Sequence, residues 1–212
     1  MKSLPNILTG IRLVLSVVVF LALATAAGAF PFQDPVSPDV GGPLLVIAFV
    51  SFVVAAVTDF FDGWLARKYD AVTTTGAILD PIGDKILVCG ALLGLLALGV
   101  HKVAAPAALI LFREFAVSAM REVLAPRGIK LPVTFLAKTK TTLQLVALGF
   151  LLGLPIVSLW LIQAGVITNA DTVQTLWGWG MGLLWLAALV TLWTGVEYAV
   201  AAAKALKVRA EV

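Results

Sequence analysis

The sequence predicts an all-α integral membrane protein of six transmembrane helices. Of its 212 residues, 61% are hydrophobic and 13% charged, against roughly 45–50% and about 25% in soluble domains. The mean hydropathy is +1.04 over the whole length, so apolar residues cannot be confined to one buried face, and most of the surface must meet an apolar solvent. Apolar runs recur six times, each near the roughly 20 residues that cross a bilayer, and none shows the period-two alternation of a lipid-facing barrel.

The first run, about 8–30, could pass for a signal peptide after Lys2, but its apolar part is too long and further spans follow it. The second, about 43–66, begins after a segment carrying Pro31, Pro35, Pro38 and Pro43, which interrupts helix formation. Lys68 to Thr75 separates it from the third, about 82–100, and the short Val100 to Ala105 leads into the fourth, about 103–125. Pro126 to Lys140 precedes the fifth, about 141–163, and Ala164 to Val173 the sixth, about 176–203. One membrane-embedded domain over 1–212 is expected, since the longest polar stretches are only loop-sized. Cys89 is the sole cysteine, so no intramolecular disulfide can form, and its apolar run makes it a packed thiol. No basic or aromatic arrangement supports nucleic-acid binding.

Orientation follows from the cations. Lys2, Arg12, Arg67, Lys68, Arg121, Arg127, Lys130, Lys138, Lys140, Lys204, Lys207 and Arg209 fall at the termini and in two alternate loops, whereas the other loops offer only Lys102. The positive-inside rule then places both termini and the two basic loops in the cytoplasm, with the loops around Asp34, His101 and Asp171 outside. Trp160, Trp177 and Trp179 form an aromatic belt near the outer boundary.

Four carboxylates break the apolar pattern, each costing roughly 2.5–3.5 kcal/mol on insertion scales, which makes each a functional candidate. Asp59 and Asp62 sit at i and i+3 near the inner end of the second helix, and Asp80 and Asp84 at i and i+4 near the start of the third, so each pair shares a helical face. In an antiparallel hairpin the four converge at one level. Four unscreened negative charges repel strongly, so a cation is required. Oxygen donors without Cys or His suit hard ions such as Mg²⁺, Mn²⁺ or Ca²⁺, and four carboxylates suit a pair of them clamping a phosphoryl group. Gly63, Ala66 and Gly76 leave room for a ligand, and Arg67 can hold an anion by a bidentate contact.

Asp59, Asp62-Gly63, Ala66-Arg67, Gly76, Asp80 and Asp84, with two, two, eight, three and three residues in the intervals, resemble without departure the signature of the CDP-alcohol phosphotransferases. The resemblance implies a six-helix dimeric membrane enzyme that displaces CMP from a CDP-linked donor by attack of a hydroxyl group. It implies that Asp59, Asp62 and Asp80 are metal ligands, and that Asp84 both touches a metal and accepts the attacking hydroxyl's proton. No nucleophile and base are paired within the motif to form a covalent intermediate.

A second region holds Arg113-Glu114, Ser118, Arg121-Glu122, Lys138, Lys140-Thr141-Thr142 and Gln144. A mid-helix Arg113 is costly unless it meets an anion or Glu114, and with Arg121, Lys138 and Lys140 it favours an anionic second substrate. This region resembles the bacterial members that make phosphatidylglycerophosphate, with Met120 in place of the usual Leu. Leu4 to Thr9 with Arg12, and Thr191 to Gly195 with Tyr198, resemble the same members. The resemblance implies CDP-diacylglycerol as donor, contacted by Asn6, Thr9, Arg12 and Asp62 beside Gly63, Ala66, Arg67 and Gly76. It also implies sn-glycerol 3-phosphate as acceptor and a bacterial cytoplasmic membrane location. Serine, inositol phosphate or a phospholipid are the alternative acceptors. A divalent cation transporter is the alternative class, but its carboxylates belong near the bilayer midplane rather than at the inner end.

Overall fold

The computed structural model describes the backbone of residues 4–31, 36–69, 74–129, 135–166 and 169–210, and the side chains of 9–31, 36–37, 39–59, 82–83, 85–126, 128–129, 136, 139–166 and 169–207. Among the described residues it is all helical: α1 (Leu4–Ala26), α2 (Pro38–Tyr69), α3 (Thr74–Ala97), α4 (Ala104–Leu124), α5 (Phe135–Gln163) and α6 (Ala170–Ala210). Short 3-10 turns at His101–Val103 and Ala125–Arg127 flank α4. Stretches within α1, α2, α5 and α6, and His101–Leu124, are long and apolar enough to cross a membrane, while α3 contributes the shorter apolar stretch Lys85–Ala97. The protein is a multi-pass membrane protein.

Several boundaries differ from those the sequence predicts. Pro38 opens α2, a position where a missing backbone donor costs nothing. α3 starts at Thr74 and runs through Pro81, which places Asp80 and Asp84 in its second and third turns instead of at its start. Likewise α5 begins at Phe135, so Lys138 and Lys140 are helical residues and not the end of a loop. The last helix is 41 residues long, about 60 Å at 1.5 Å per residue, twice the hydrocarbon thickness. Hydropathy marks only the part of a helix that meets lipid, and helices continue past it for as long as the backbone stays hydrogen-bonded.

The chain divides into two compact units, Met1–His101 with Leu148–Gly180, and Lys102–Ala147 with Met181–Val212. In the first unit α1 packs along both α2 and α3, whereas α2 and α3 barely touch each other among the described residues. Small residues permit the approach, because lipid offers no hydrophobic drive for helix association and close van der Waals contact must supply it. Gly90 and Gly94 of α3 face Phe20 and Leu23 of α1, and a Cβ built on Gly94 would lie 2.3 Å from Leu23 Cδ1. Gly149 and Gly153 of α5 meet Phe52 and Phe49 of α2 in the same manner. Gly99 closes α3 at φ +81°, with Val100 N–H donating to Leu95 O, a left-handed terminus that a side chain would strain. Outward faces stay apolar: Phe112, Trp160 and Trp179 are 77, 65 and 69% exposed, as expected of lipid-facing and interfacial positions.

Candidate active site

Among the described residues of the first unit, Arg12 is the most deeply buried charge, at 1% exposure. It sits on α1, two residues after Gly10, and its Nη1 donates to Asp59 Oδ1 of α2 at 2.5 Å. From α3, Gly83 comes close enough that a Cβ there would lie 3.7 Å from Arg12 Cδ. The Arg12 side chain therefore lies against both aspartate-bearing helices, its stem near α3 and its guanidinium on α2, which explains how α2 and α3 can carry the motif while packing on α1. The sequence brings the aspartates together in a hairpin of the second and third helices and assigns Arg12 to the donor by resemblance; it does not foresee that Arg12 pairs with Asp59. Thr9, one turn before Arg12, is buried on the same side, and Ser16 donates to the Arg12 carbonyl.

Asp59 is about one-third exposed. Its Oδ1 is taken by Arg12, and its Oδ2 has no hydrogen-bond partner among the described residues. An open carboxylate oxygen held in place by a buried cation fits a hard divalent ion. The side chains of Asp62, Asp80 and Asp84, and those of Asn6, Gly63, Ala66, Arg67 and Gly76, lie outside the described residues; for these the structure gives only their places on α1, α2 and α3. Among the described residues no group of three metal-ligating side chains occurs.

The second unit holds a separate polar cluster. Arg113, midway along α4, is 6% exposed. Its Nη1 lies 3.4 Å from Glu114 Oε1 and its Nη2 donates to Thr194 Oγ1 of α6 at 3.0 Å. Lys140 of α5 donates to the same Glu114 oxygen. Arg113 thus meets a carboxylate of its own chain, and Glu114 neutralises two buried cations at once, the arrangement that makes buried charge tolerable. Gln144, one turn after Lys140, donates to Thr191 Oγ1 at 2.7 Å. Arg121, exposed two turns beyond Arg113, donates from Nη2 to the Tyr198 hydroxyl at 2.8 Å. Its Nε and Nη1 make no hydrogen bond among the described residues, so this guanidinium keeps donors for an anion. The Lys138 side chain lies outside the described residues.

Of the residues expected to bind an acceptor, Arg113, Arg121 and Lys140 thus fall in one unit with Glu114, Thr194 and Tyr198. The sequence offers Glu114 as a partner for Arg113, but composition and spacing assign no role to Thr194 and Tyr198. A signal was present: Thr191, Thr194 and Tyr198 are polar positions at helical spacing in an apolar helix, hence on one face.

The profile of the CDP-alcohol phosphatidyltransferase family matches residues 2–193. A protein of Rickettsia bellii is 40% identical over 199 residues, 93% of each chain, and one of Rickettsia typhi is 39% identical over 93% of this chain and 96% of its own. A protein of Escherichia coli K12 is 40% identical over 71% of this chain and 75% of its own. All three are named CDP-diacylglycerol–glycerol-3-phosphate 3-phosphatidyltransferase. With a family profile spanning nine-tenths of its length and relatives this similar, the chain is a member of the CDP-alcohol phosphatidyltransferases, membrane transferases of phospholipid synthesis.

Proposed function

We propose that the protein transfers the phosphatidyl group of CDP-diacylglycerol to sn-glycerol 3-phosphate, releasing CMP and forming phosphatidylglycerophosphate. The observation that carries this reading is the close similarity, over 93% of both chains, to a relative named for that reaction. The cation cluster of Arg113, Arg121 and Lys140 supports a phosphorylated acceptor over serine.

In this reading Asp59, Asp62, Asp80 and Asp84 hold two divalent ions, Mg²⁺ or Mn²⁺, which when bound stabilise the charge that develops on the CMP leaving group. Asp84 takes the proton from the attacking acceptor hydroxyl. Arg67 holds the donor diphosphate, and Gly63, Ala66 and Gly76 let it approach the backbone. Asn6, Thr9, Arg12 and Asp62 line the donor site, Arg12 by fixing Asp59. Arg113, Arg121, Lys138 and Lys140 hold the acceptor phosphate. The enzyme is a homodimer in the bacterial cytoplasmic membrane, with both termini and the active site on the cytoplasmic side.

The test supplies glycerol 3-phosphate, inositol phosphate and serine in turn to the detergent-solubilised protein with CDP-diacylglycerol. CMP release with glycerol 3-phosphate alone is expected, and phosphatidylglycerophosphate is the expected lipid product. Turnover with serine or inositol phosphate instead reassigns the acceptor. Excess EDTA should abolish activity and added Mg²⁺ or Mn²⁺ restore it; full activity in EDTA overturns the metal reading.

A further inference from the structure

From Met181 onwards, the buried positions of α6 among the described residues are Leu184, Ala187, Ala188, Thr191, Thr194, Tyr198 and Ala202, spaced by three and four residues apart from the adjacent Ala187 and Ala188, so one stripe of the helix faces the interior of the second unit. Its first half is aliphatic. Its second half carries three polar members, and each meets a group of the polar cluster: Thr191 meets Gln144, Thr194 meets Arg113, and Tyr198 meets Arg121.

Tyr198 does more than accept one hydrogen bond. Its ring centroid lies 5.5 Å from Arg113 Cζ and 5.1 Å from Arg121 Cζ, so both guanidinium groups fall within cation–π range of one aromatic face system. The two arginines stand eight residues apart on α4 and carry like charges; unassisted, the exposed Arg121 would turn away from the buried Arg113. A ring that attracts both, and a hydroxyl that takes a hydrogen bond from Arg121, hold them together. Gly195 makes room for this: a Cβ there would come within 2.8 Å of Arg113 Cγ.

The two arginines are not equivalent. Arg113 has Nη1 committed to Glu114 and Nη2 to Thr194, while its buried Nε has no partner and lies toward Gly195. Arg121 alone retains outward donors on an exposed side chain. Anion affinity then depends on how well Arg121 is preorganised, because an untethered arginine loses rotamer freedom when it binds.

We propose that Tyr198 is a positioning residue for the acceptor phosphate, acting through Arg121. This inference rests on the acceptor reading above. Tyr198 touches no reacting atom, so its removal weakens acceptor binding and leaves both donor binding and the chemical step as they were.

The experiment measures steady-state CMP release by the full-length protein in detergent, varying glycerol 3-phosphate at saturating CDP-diacylglycerol and the reverse. Tyr198→Leu should raise KM for glycerol 3-phosphate about tenfold and Tyr198→Phe, which keeps the ring, about threefold. In both, kcat and the donor KM should stay within about twofold of wild type. A double-mutant cycle isolates the route: Arg121→Ala combined with Tyr198→Leu should be no worse in acceptor KM than Arg121→Ala alone. Where Tyr198→Leu does not give a monodisperse folded protein, the cycle is run with Tyr198→Phe. Additive losses, or equal rises in donor and acceptor KM, overturn the proposal, because both mark a general structural role. Wild-type protein that uses glycerol 3-phosphate while the Tyr198 variants keep a normal acceptor KM overturns this inference alone; wild-type protein that cannot use glycerol 3-phosphate overturns the substrate reading beneath it.

Discussion

Among the described residues two arginines are buried and paired within their own unit, Arg12 between α1 and α2 and Arg113 between α4 and α6. Arg12 couples α1 to Asp59 of α2. Breaking a buried pair costs roughly 3–5 kcal/mol when the remaining charge stays buried. Here Asp59 is one-third exposed, so solvent takes up part of the loss and Arg12→Ala should cost on the order of 2 kcal/mol, below that range. A melting temperature lowered by several degrees in detergent would show it. Arg12→Ala should also lower apparent metal affinity, since Asp59 loses the group that fixes its orientation; a Mg²⁺ activation curve identical to wild type would contradict this. At Gly195, an alanine must push against the Arg113 stem, a contact of 2.8 Å with a side chain that is 6% exposed. Gly195→Ala should therefore raise the acceptor KM several-fold, whereas alanine at Gly182, which has nothing within 4 Å, should not.

At the scale of elements, α1 is the helix on which α2 and α3 meet. Its contact with α3 runs through Gly90 and Gly94, a pair one turn apart whose missing side chains are filled by Phe20 and Leu23. Overpacking such a contact costs typically 1–3 kcal/mol, so Gly94→Ala should lower the thermal midpoint clearly, and activity with it, because the displaced helix carries Asp80 and Asp84. Alanine at Gly178 of α6, with nothing within 4 Å of the new methyl, should leave the midpoint unchanged or raised, in line with the better helix propensity of alanine. Equal loss in both variants would mean that the fold tolerates no methyl anywhere and that the α1–α3 contact is not special. The sequence shows both glycines plainly, but a glycine in an apolar helix looks the same whether it faces a neighbouring helix or lipid.

For the whole molecule, the distribution of lysine and arginine sets a testable orientation. With Cys89 replaced by serine, a cysteine placed at His101, which is exposed in the 3-10 turn before α4, should react with a membrane-impermeant maleimide in intact cells. A cysteine at Lys207, exposed near the end of α6, should react only after the membrane is opened. Reaction of Lys207→Cys in intact cells would invert the topology and move the proposed active site to the other face.

The sequence by itself determines the helical membrane class, because hydropathy over about 20 residues is a property of composition that no packing arrangement can hide. It determines the four-aspartate motif too, since ionisable groups in apolar helices stand out by their cost. Even the cationic region from Arg113 to Lys140 is legible, down to the possibility that Arg113 meets Glu114. The tertiary structure decides the pairings: that α1 lies along both α2 and α3, that Arg12 reaches Asp59, that Glu114 serves Arg113 and Lys140 together, and that Tyr198 gathers two arginines. Those partners stand 47, 26 and 77 residues apart in the chain for Arg12–Asp59, Glu114–Lys140 and Arg121–Tyr198. Helical periodicity reports which residues of one helix share a face; which face of another helix it meets depends on where small and large side chains let two backbones approach, and that is settled only when the helices pack.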